Sequence, residues 1–296
     1  MKTAHAIYED GDHKWLAMVR DKSRPGFLID TNEYLVISDE DAILLDPGGS
    51  EIFPAVFSAV STGFDPRRIN KIFASHQDPD VISSLSMWLE FNPGIKCYLS
   101  WLWQSFVPHF AGQADTFVPI PDGGMDILVG SVRLQAIPAH YLHSSGNLHL
   151  YDPKAKILFS GDVGAALLPP GEDGLFVEDF DRHIRHAEAF HRRWMGSDKA
   201  KRDWCARVSA LNIDMLCPQH GAIYRGADVQ RFIDWFSRLE VGVLKACFGL
   251  IPGTSLSLAA GQRACRHAGL SVSNASMFLT MVNVPASGRA QNQRTV

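Results

Sequence analysis

Groups able to hold a metal recur where apolar runs end. In "SHQDPDV", residues 75–81, His76, Asp78 and Asp80 alternate directly after the apolar run "KIFA". Side chains two apart on an extended segment project the same way, so one imidazole and two carboxylates can converge. Pro79 stops the strand and suits the first turn of a following helix. The same stretch also fits a polar turn in which Asp78 or Asp80 caps that helix. Further on, His143 stands in "PAHYLHSSGN", Asp162 closes "ILFSGD", and His220 follows the strand-like "DMLCP" in "PQHG". Taken singly, each is equally a surface polar group or a turn residue. Together they place donors at four strand ends, where a rigid scaffold commonly carries chemistry on its loops. Three imidazoles and three carboxylates without thiolate suit iron or manganese, and zinc tolerates the set. The carboxylates balance three of the four charges of two divalent ions, and a bridging hydroxide would balance the fourth.

The elements that must position these residues alternate strand-rich and helix-rich stretches. "KWLAMVR", "GFLIDTNEYLVIS" and "DAILLDPGG" read as strands separated by turn-prone residues. "EIFPAVFSAVSTGF" reads as a helix, "INKIFASH" as a short strand, "PDVISSLSMWLEF" as a helix, "IKCYLS" as a strand and "WLWQSFVPHF" as a short helix. "MDILVG" with "SVRLQAIPA", and "NLHLYD" with "AKILFSGD", read as two strand pairs. After a loop come a helix over 177–196, a second over 198–211, the strand "IDMLCP" and an amphipathic helix from 226. In that last helix Val229, Phe232, Ile233, Phe236 and Leu239 repeat at helical spacing. A further helix over Leu256–Ala268 precedes a weakly patterned, flexible tail. Two antiparallel sheets packed together, with helices outside, accommodate this order. His183, His186 and His191 read as part of a solvated helical face. The Trp101, Trp103 and Phe106 cluster reads as core or interface. His140 and Tyr141 adjoin the His143 loop, and either a surface role or a hydrogen bond to a bound ligand fits them.

The bulk properties exclude several classes. With 296 residues the chain can bury a substantial core as one large or two small domains. A net charge of −4 with 20% charged residues offers no footprint for nucleic acid. No apolar stretch reaches the length of a membrane span, and the start lacks the apolar core of a signal peptide. The expectation is therefore a cytoplasmic protein. Cys97, Cys205, Cys217, Cys247 and Cys265 are scattered and form no C-x-x-C pair, which reads as reduced thiols.

The ordered set "LLDPGG", "SHQDPD", "LHSSGN", "LFSGD" and "PQHG" resembles the metallo-β-lactamase fold over roughly residues 10–245. That resemblance implies an α+β architecture, an αββα sandwich with its metal site at one edge of the sheets, spanning 1–248, and a short extension over 249–296. Zinc hydrolases of the superfamily carry H-x-H-x-D-H at the first motif. Here Asp78 stands for the second histidine and Val81 for the last. A carboxylate at the middle position is similar to flavodiiron proteins and the stand-alone oxygen-binding diiron proteins, whose motif is commonly H-x-E-x-D-H. "YLHSSGN", "HRRWMGS" and "CPQHGAIYRG" also resemble that branch.

By position, the resemblance implies one metal on His76, Asp78 and His143, a second on Asp80 and His220, and Asp162 bridging both. With Val81 in place of a histidine, the second metal keeps an open position for a small ligand. Asp46 in "LLDPGG" matches the strand-end aspartate that supports the ligands from behind. The implied function is a non-haem diiron protein that binds or reduces dioxygen, or nitric oxide. It would act as an oxidoreductase fed by an external electron-transfer protein, or as an oxygen sensor for a signalling partner. The alternative is a dinuclear metallohydrolase of an ester, thioester or phosphodiester. Two iron ions are expected, with manganese or zinc as substitutes. No flavin is expected, because about fifty residues after the last matched helix are too few for a flavodoxin-like domain. A homo-oligomer is expected.

Overall fold

The computed structural model describes residues 2–19, 29–109, 112–169, 171–172 and 174–243. The extension over 249–296, with its expected helix and tail, lies outside the described residues. A seven-stranded sheet holds β1 (Thr3–Asp10), β2 (His13–Val19), β3 (Glu33–Ser38), β4 (Asp41–Leu45), β5 (Ile69–Phe73), β6 (Lys96–Ser100) and β7 (Phe117–Ile120), paired in chain order. A six-stranded sheet holds β8 (Met125–Val129), β9 (Val132–Pro138), β10 (Leu148–Asp152), β11 (Ile157–Gly161), β12 (Met215–Pro218) and β13 (Tyr224–Arg225), in the order β13-β12-β11-β10-β9-β8. The helices are α1 (Phe53–Ser61), α2 (Pro79–Ile82), α3 (Leu85–Phe91), α4 (Phe180–Trp194), α5 (Asp198–Val208) and α6 (Ala227–Arg238).

Three apolar layers follow from strand periodicity. In β3 and β4, Tyr34, Val36, Ile43 and Leu45 face the second sheet, where they meet Leu134, Leu150 and Phe159. The alternate residues Leu35, Ile37, Ala42 and Leu44 face outward and pack with Val56, Leu85 and Trp88 from α1 and α3. On the far side, Leu158 and Leu216 pack with Phe190, Trp204, Phe232 and Phe236 from α4, α5 and α6. Strands covered on both faces are apolar on both faces, and all six residues of β3 are buried. Burying a side chain such as Phe159 completely stabilises the fold by about 1.5–3 kcal/mol. The result is the αββα sandwich.

Several expectations are corrected. The sheets are mixed rather than antiparallel: β4 to β7 run parallel, as do β11 and β12. Of the run expected as a strand over 26–38, the described residues form a strand from Glu33, and β1, β7 and β13 are additional strands. "WLWQSFVPHF" forms 3-10 turns at Trp101–Trp103 and Val107–His109. Trp101 and Phe106 are 50% and 60% exposed, so they are not core. The helix expected from Pro79 to Phe91 breaks at Ser83 and Ser84 into α2 and α3. The largest correction concerns α4: His183 and His191 are buried in its packed face, not solvated. Cys97, Cys205 and Cys217 are buried free thiols.

Candidate metal centre

The chain leaves β5 at Phe73 and reaches the Pro79 start of α2 through residues 74–78. Asp78 occupies the N-cap position but makes no side-chain cap bond. Its Oδ2 lies instead 2.8 Å from His143 Nε2 and 3.6 Å from His76 Nε2. The cap alternative therefore fails, and the carboxylate joins the two imidazoles in one cluster. Gln77 Nε2 donates to Asp78 Oδ1 at 3.0 Å, and Ser144 Oγ donates to Gln77 Oε1 at 2.7 Å. This pair of bonds ties the first ligand loop to the His143 loop.

The His143 loop connects β9 to β10 and folds on itself. Tyr141 N–H donates to the Ser144 carbonyl at 2.8 Å, and Ala139 N–H to that of Asn147 at 2.9 Å. Asn147 Nδ2 also donates to the Leu142 carbonyl. Tyr141 and His143 have φ of 65° and 79°, left-handed values that cost energy for residues with a Cβ. The loop is thus held in a conformation its sequence would not choose alone.

Asp162 follows β11. Gly161 (φ 50°) is required there, since a Cβ would lie 3.0 Å from Ser75 Oγ. Asp162 Oδ2 lies 3.6 Å from His76 Nε2 and 3.7 Å from His143 Nε2, and Oδ1 lies 3.3 Å from His220 Nε2. His220 Nε2 is in turn 3.4 Å from Asp80 Oδ2. The donors thus form two groups, with one oxygen of Asp162 turned to each. Two donors on one ion with bonds of about 2.1 Å lie about 3.0 Å apart at right angles and about 3.4 Å apart at the tetrahedral angle. The spacings here, from 2.8 to 3.7 Å, bracket those values. Asp162 Oδ1 is buried without a hydrogen-bond partner, a cost that a cation would remove.

The ring tautomers fit as well. Ser75 Oγ donates to Asp46 Oδ2 at 2.6 Å, so at 2.9 Å it accepts from His76 Nδ1–H. Ser75 N–H also donates to Asp46 Oδ1 at 2.7 Å. His220 Nδ1–H donates to the Asp30 carbonyl at 2.7 Å. Both rings, when neutral, therefore keep Nε2 as a bare lone pair facing the cluster.

The charges are mutually compensating. Burial lowers the His76 pKa, but Asp162, Asp78 and Asp46 outweigh it and hold the ring at about 9. His220 also reaches about 9, burial being outweighed by Asp162 and Asp80. Burial opposes ionisation of Asp78 and Asp162, yet the neighbouring imidazoles pull both below the usual carboxylate range. Burial raises Asp80 despite His220, and raises Asp46 to about 7. Without metal the site holds protons as its counter-cations.

The other expected residues lie apart from the cluster. Asp46 is buried behind Ser75 and accepts from it. Val81 is fully buried in the outer apolar layer with Leu44, Val56 and Leu85, and its carbonyl accepts from Gly48 N–H at 3.0 Å. Tyr141 is 59% exposed, and His140 Nε2 contacts the Asp122 carbonyl at 3.3 Å. Both line a cavity of about 310 Å³ with Trp204 and Arg207. Sequence reasoning missed Ser75, Gln77, Ser144, Asn32 and His191. Asn32 Nδ2 donates to the carbonyls of Pro218 (3.0 Å) and Gly221 (2.8 Å), bracketing His220. His191 Nδ1–H donates to Ala187 O at 2.8 Å, so its Nε2 accepts from Gly164 N–H at 3.0 Å and steadies the turn after Asp162. Phe190 lies 6.5 Å from His143 and 6.3 Å from His220 between ring centroids, and Trp194 meets His143 edge-on at 5.0 Å.

Comparison with known proteins places this arrangement. Residues 29–221 match the family described as ODP family beta lactamase. A solved structure of the chemotaxis sensor ODP as a peroxy diiron species is 41% identical, with a TM-score of 0.73, covering 81% of this chain and 96% of that one. The apo state of the chemotaxis sensor ODP from T. denticola is 40% identical with a TM-score of 0.75 and the same 81% and 96% coverage. The rubredoxin-oxygen oxidoreductase of Megalodesulfovibrio gigas is 23% identical over 212 residues, covering 69% of this chain and 52% of that protein. The chain spans about half the length of the curated relatives it matches, 52% for this oxidoreductase. Its fold, its ordered motifs and its near full-length match to the sensor agree: the chain belongs to the ODP family of beta-lactamase-fold proteins.

Proposed function

We propose that this protein is a non-haem diiron protein that binds or reduces dioxygen, in which His76, Asp78 and His143 hold one iron, Asp80 and His220 the other, and Asp162 bridges them. The observation that carries the reading is Asp162, with one oxygen turned toward each donor group. Bound iron would supply two redox-active ions able to take a diatomic ligand. The residues of the chain do the rest. Ser75 and the Asp30 carbonyl hold protons at Nδ1 of His76 and His220 and keep Nε2 free. Gln77 and Ser144 fix the rotation of Asp78. Phe190 and Trp194 set an apolar wall beside His143.

A binding and reporting role is favoured over continuous turnover. The support is resemblance: this chain is 41% identical to the chemotaxis sensor but 23% identical to a flavodi-iron protein variant from Thermotoga maritima. A hydrolase is disfavoured, since Asp78 replaces an imidazole with a hard carboxylate suited to iron or manganese. Among the described residues no helix is long and apolar enough to cross a membrane.

The test is metal analysis of protein purified without oxygen, with absorption spectra before and after admission of air. About two irons per chain are expected, as in other two-metal sites, with a new visible band on exposure to air. A protein that holds only zinc, stays colourless in air and turns over a chromogenic ester would overturn the proposal.

A further inference from the structure

Lys2 is buried, with its side chain 0% exposed. Lysine is almost never buried completely unless paired. Its Nζ lies 2.7 Å from Glu33 Oε2, which is equally buried. Nζ also donates to the carbonyls of Thr31 and of Met18, the latter at 3.3 Å, and Thr31 Oγ1 donates to Glu33 Oε1 at 2.6 Å. A buried ion pair is weak evidence for stability, because apolar residues of similar volume often do as well. Its place in the fold points to another use.

The four residues 30–33 alternate in what they hold. Thr31 and Glu33 bind Lys2. Asp30 accepts His220 Nδ1–H at 2.7 Å, and Asn32 N–H donates to the Gln219 carbonyl at 2.6 Å. Glu33 Oε1 also abuts Gly48, where a Cβ would come within 3.1 Å of it. Gly48 in turn clamps the far end of α2, the short helix that carries Asp80: its N–H donates to Val81 O at 3.0 Å, and its carbonyl accepts Ser84 N–H at 3.1 Å. One ion pair therefore backs both His220 and the turn that carries Asp80.

We infer that Lys2, through Glu33, is a positioning residue for the second metal, fixing the segment that aims His220 and the turn that presents Asp80. The inference rests on the proposed assignment of Asp80, His220 and Asp162 to one ion. Lys2 does not touch the ion; it acts by restricting where its ligands can sit. The first metal has its own supports in Ser75, Gln77 and Ser144, so the effect is selective.

The test uses the full chain and Co(II) as probe, titrated against a competing chelator and followed by visible absorption. Wild type should take up two ions, the group with more protein donors filling first. Lys2→Met/Glu33→Gln removes both charges together, leaving no buried ion unpaired. We expect first-ion affinity to be unchanged and second-ion affinity to fall roughly 10–100-fold, the usual effect of losing a supporting contact behind a ligand, while Lys2→Arg alone, with Glu33 intact, keeps most of it. Unchanged second-ion affinity, or equal weakening of both ions, would overturn the role. Hydrogen exchange on wild type decides the matter should the double variant not fold. Protection of the Asn32 and Glu33 amides should rise with the second equivalent of Co(II) and not with the first, and no rise at the second overturns the role. A wild type that binds only one ion would overturn the two-metal reading, and this inference with it, before any variant is compared.

Discussion

His76 and His220 owe their orientation to partners that no spacing rule reveals. Ser75 lies inside the stretch that raised the metal question, yet serines in turns are too common to single one out. Asn32 and Lys2 act through contacts with residues distant in sequence, so no local pattern announces them. The donor residues themselves were legible because each ends or follows an apolar strand, and three recur at period two. Ser75 gives the sharpest test at this scale. In Ser75→Ala, His76 Nδ1 loses its acceptor and Asp46 Oδ2 its donor. We expect affinity for the first metal to fall roughly 10–100-fold, measured by chelator competition. The metal-free protein should also lose about 1–3 kcal/mol, measured by denaturant unfolding, since a buried acceptor is left unsatisfied. Unchanged affinity would mean that Ser75 does not orient the ring.

Helix α4 shows how an element can be read correctly as a helix and wrongly as a surface. Phe180, His183, Ala187, Phe190 and His191 recur at helical spacing and form its buried face. The polarity of its three histidines suggests a solvated face, whereas the period of its apolar residues places two of them inside. Once buried, His191 becomes a strut for the Asp162 turn. His191→Leu keeps the volume roughly constant but leaves Gly164 N–H buried without an acceptor. We expect about 1–3 kcal/mol of destabilisation in denaturant unfolding, with weaker binding of both metals, because one oxygen of Asp162 faces each donor group. Full stability and affinity would show that the turn after Asp162 holds without it. The strands missed at the start and after α3 have physical reasons too. β1 has no buried residue among its eight, so no apolar run marks it. β7 carries Pro119, which argues against a strand interior. The mixed sheets escaped notice because parallel pairing is a tertiary fact, visible only once the crossovers through the helices are placed.

Across the whole molecule the centre joins the two halves of the sandwich. His76, Asp78 and Asp80 follow a strand of the first sheet, while His143, Asp162 and His220 follow strands of the second. Metal removal leaves carboxylates and imidazolium ions to compensate one another, and this sets a pH dependence. His76 and His220 stand at about 9 in the folded protein, above the ordinary histidine value of about 6.5. Their contribution to stability is fully present below about 6.5 and is lost as pH rises through about 9. Asp78 and Asp162 are depressed, so their contribution is present above about 4 and is lost on acidification. The contribution of these four groups should therefore be largest between about pH 4 and 6.5, and the melting temperature of the metal-free protein should fall by several degrees between about pH 6.5 and 9. The metal-loaded protein should lack that alkaline decline, because the ions replace the protons. Melting curves at matched ionic strength would check both limbs, and an alkaline decline equal in both forms would place its cause elsewhere.

The most direct measurement is anomalous diffraction at the iron edge from crystals loaded with Fe(II) without oxygen. Two peaks are expected about 3.5–4 Å apart, as in other two-metal sites, with the two oxygens of Asp162 on different ions. One peak should contact His76, Asp78 and His143, and the other Asp80 and His220. A single peak at full loading, or two peaks with His143 or Asp162 turned away from both, would contradict the assignment.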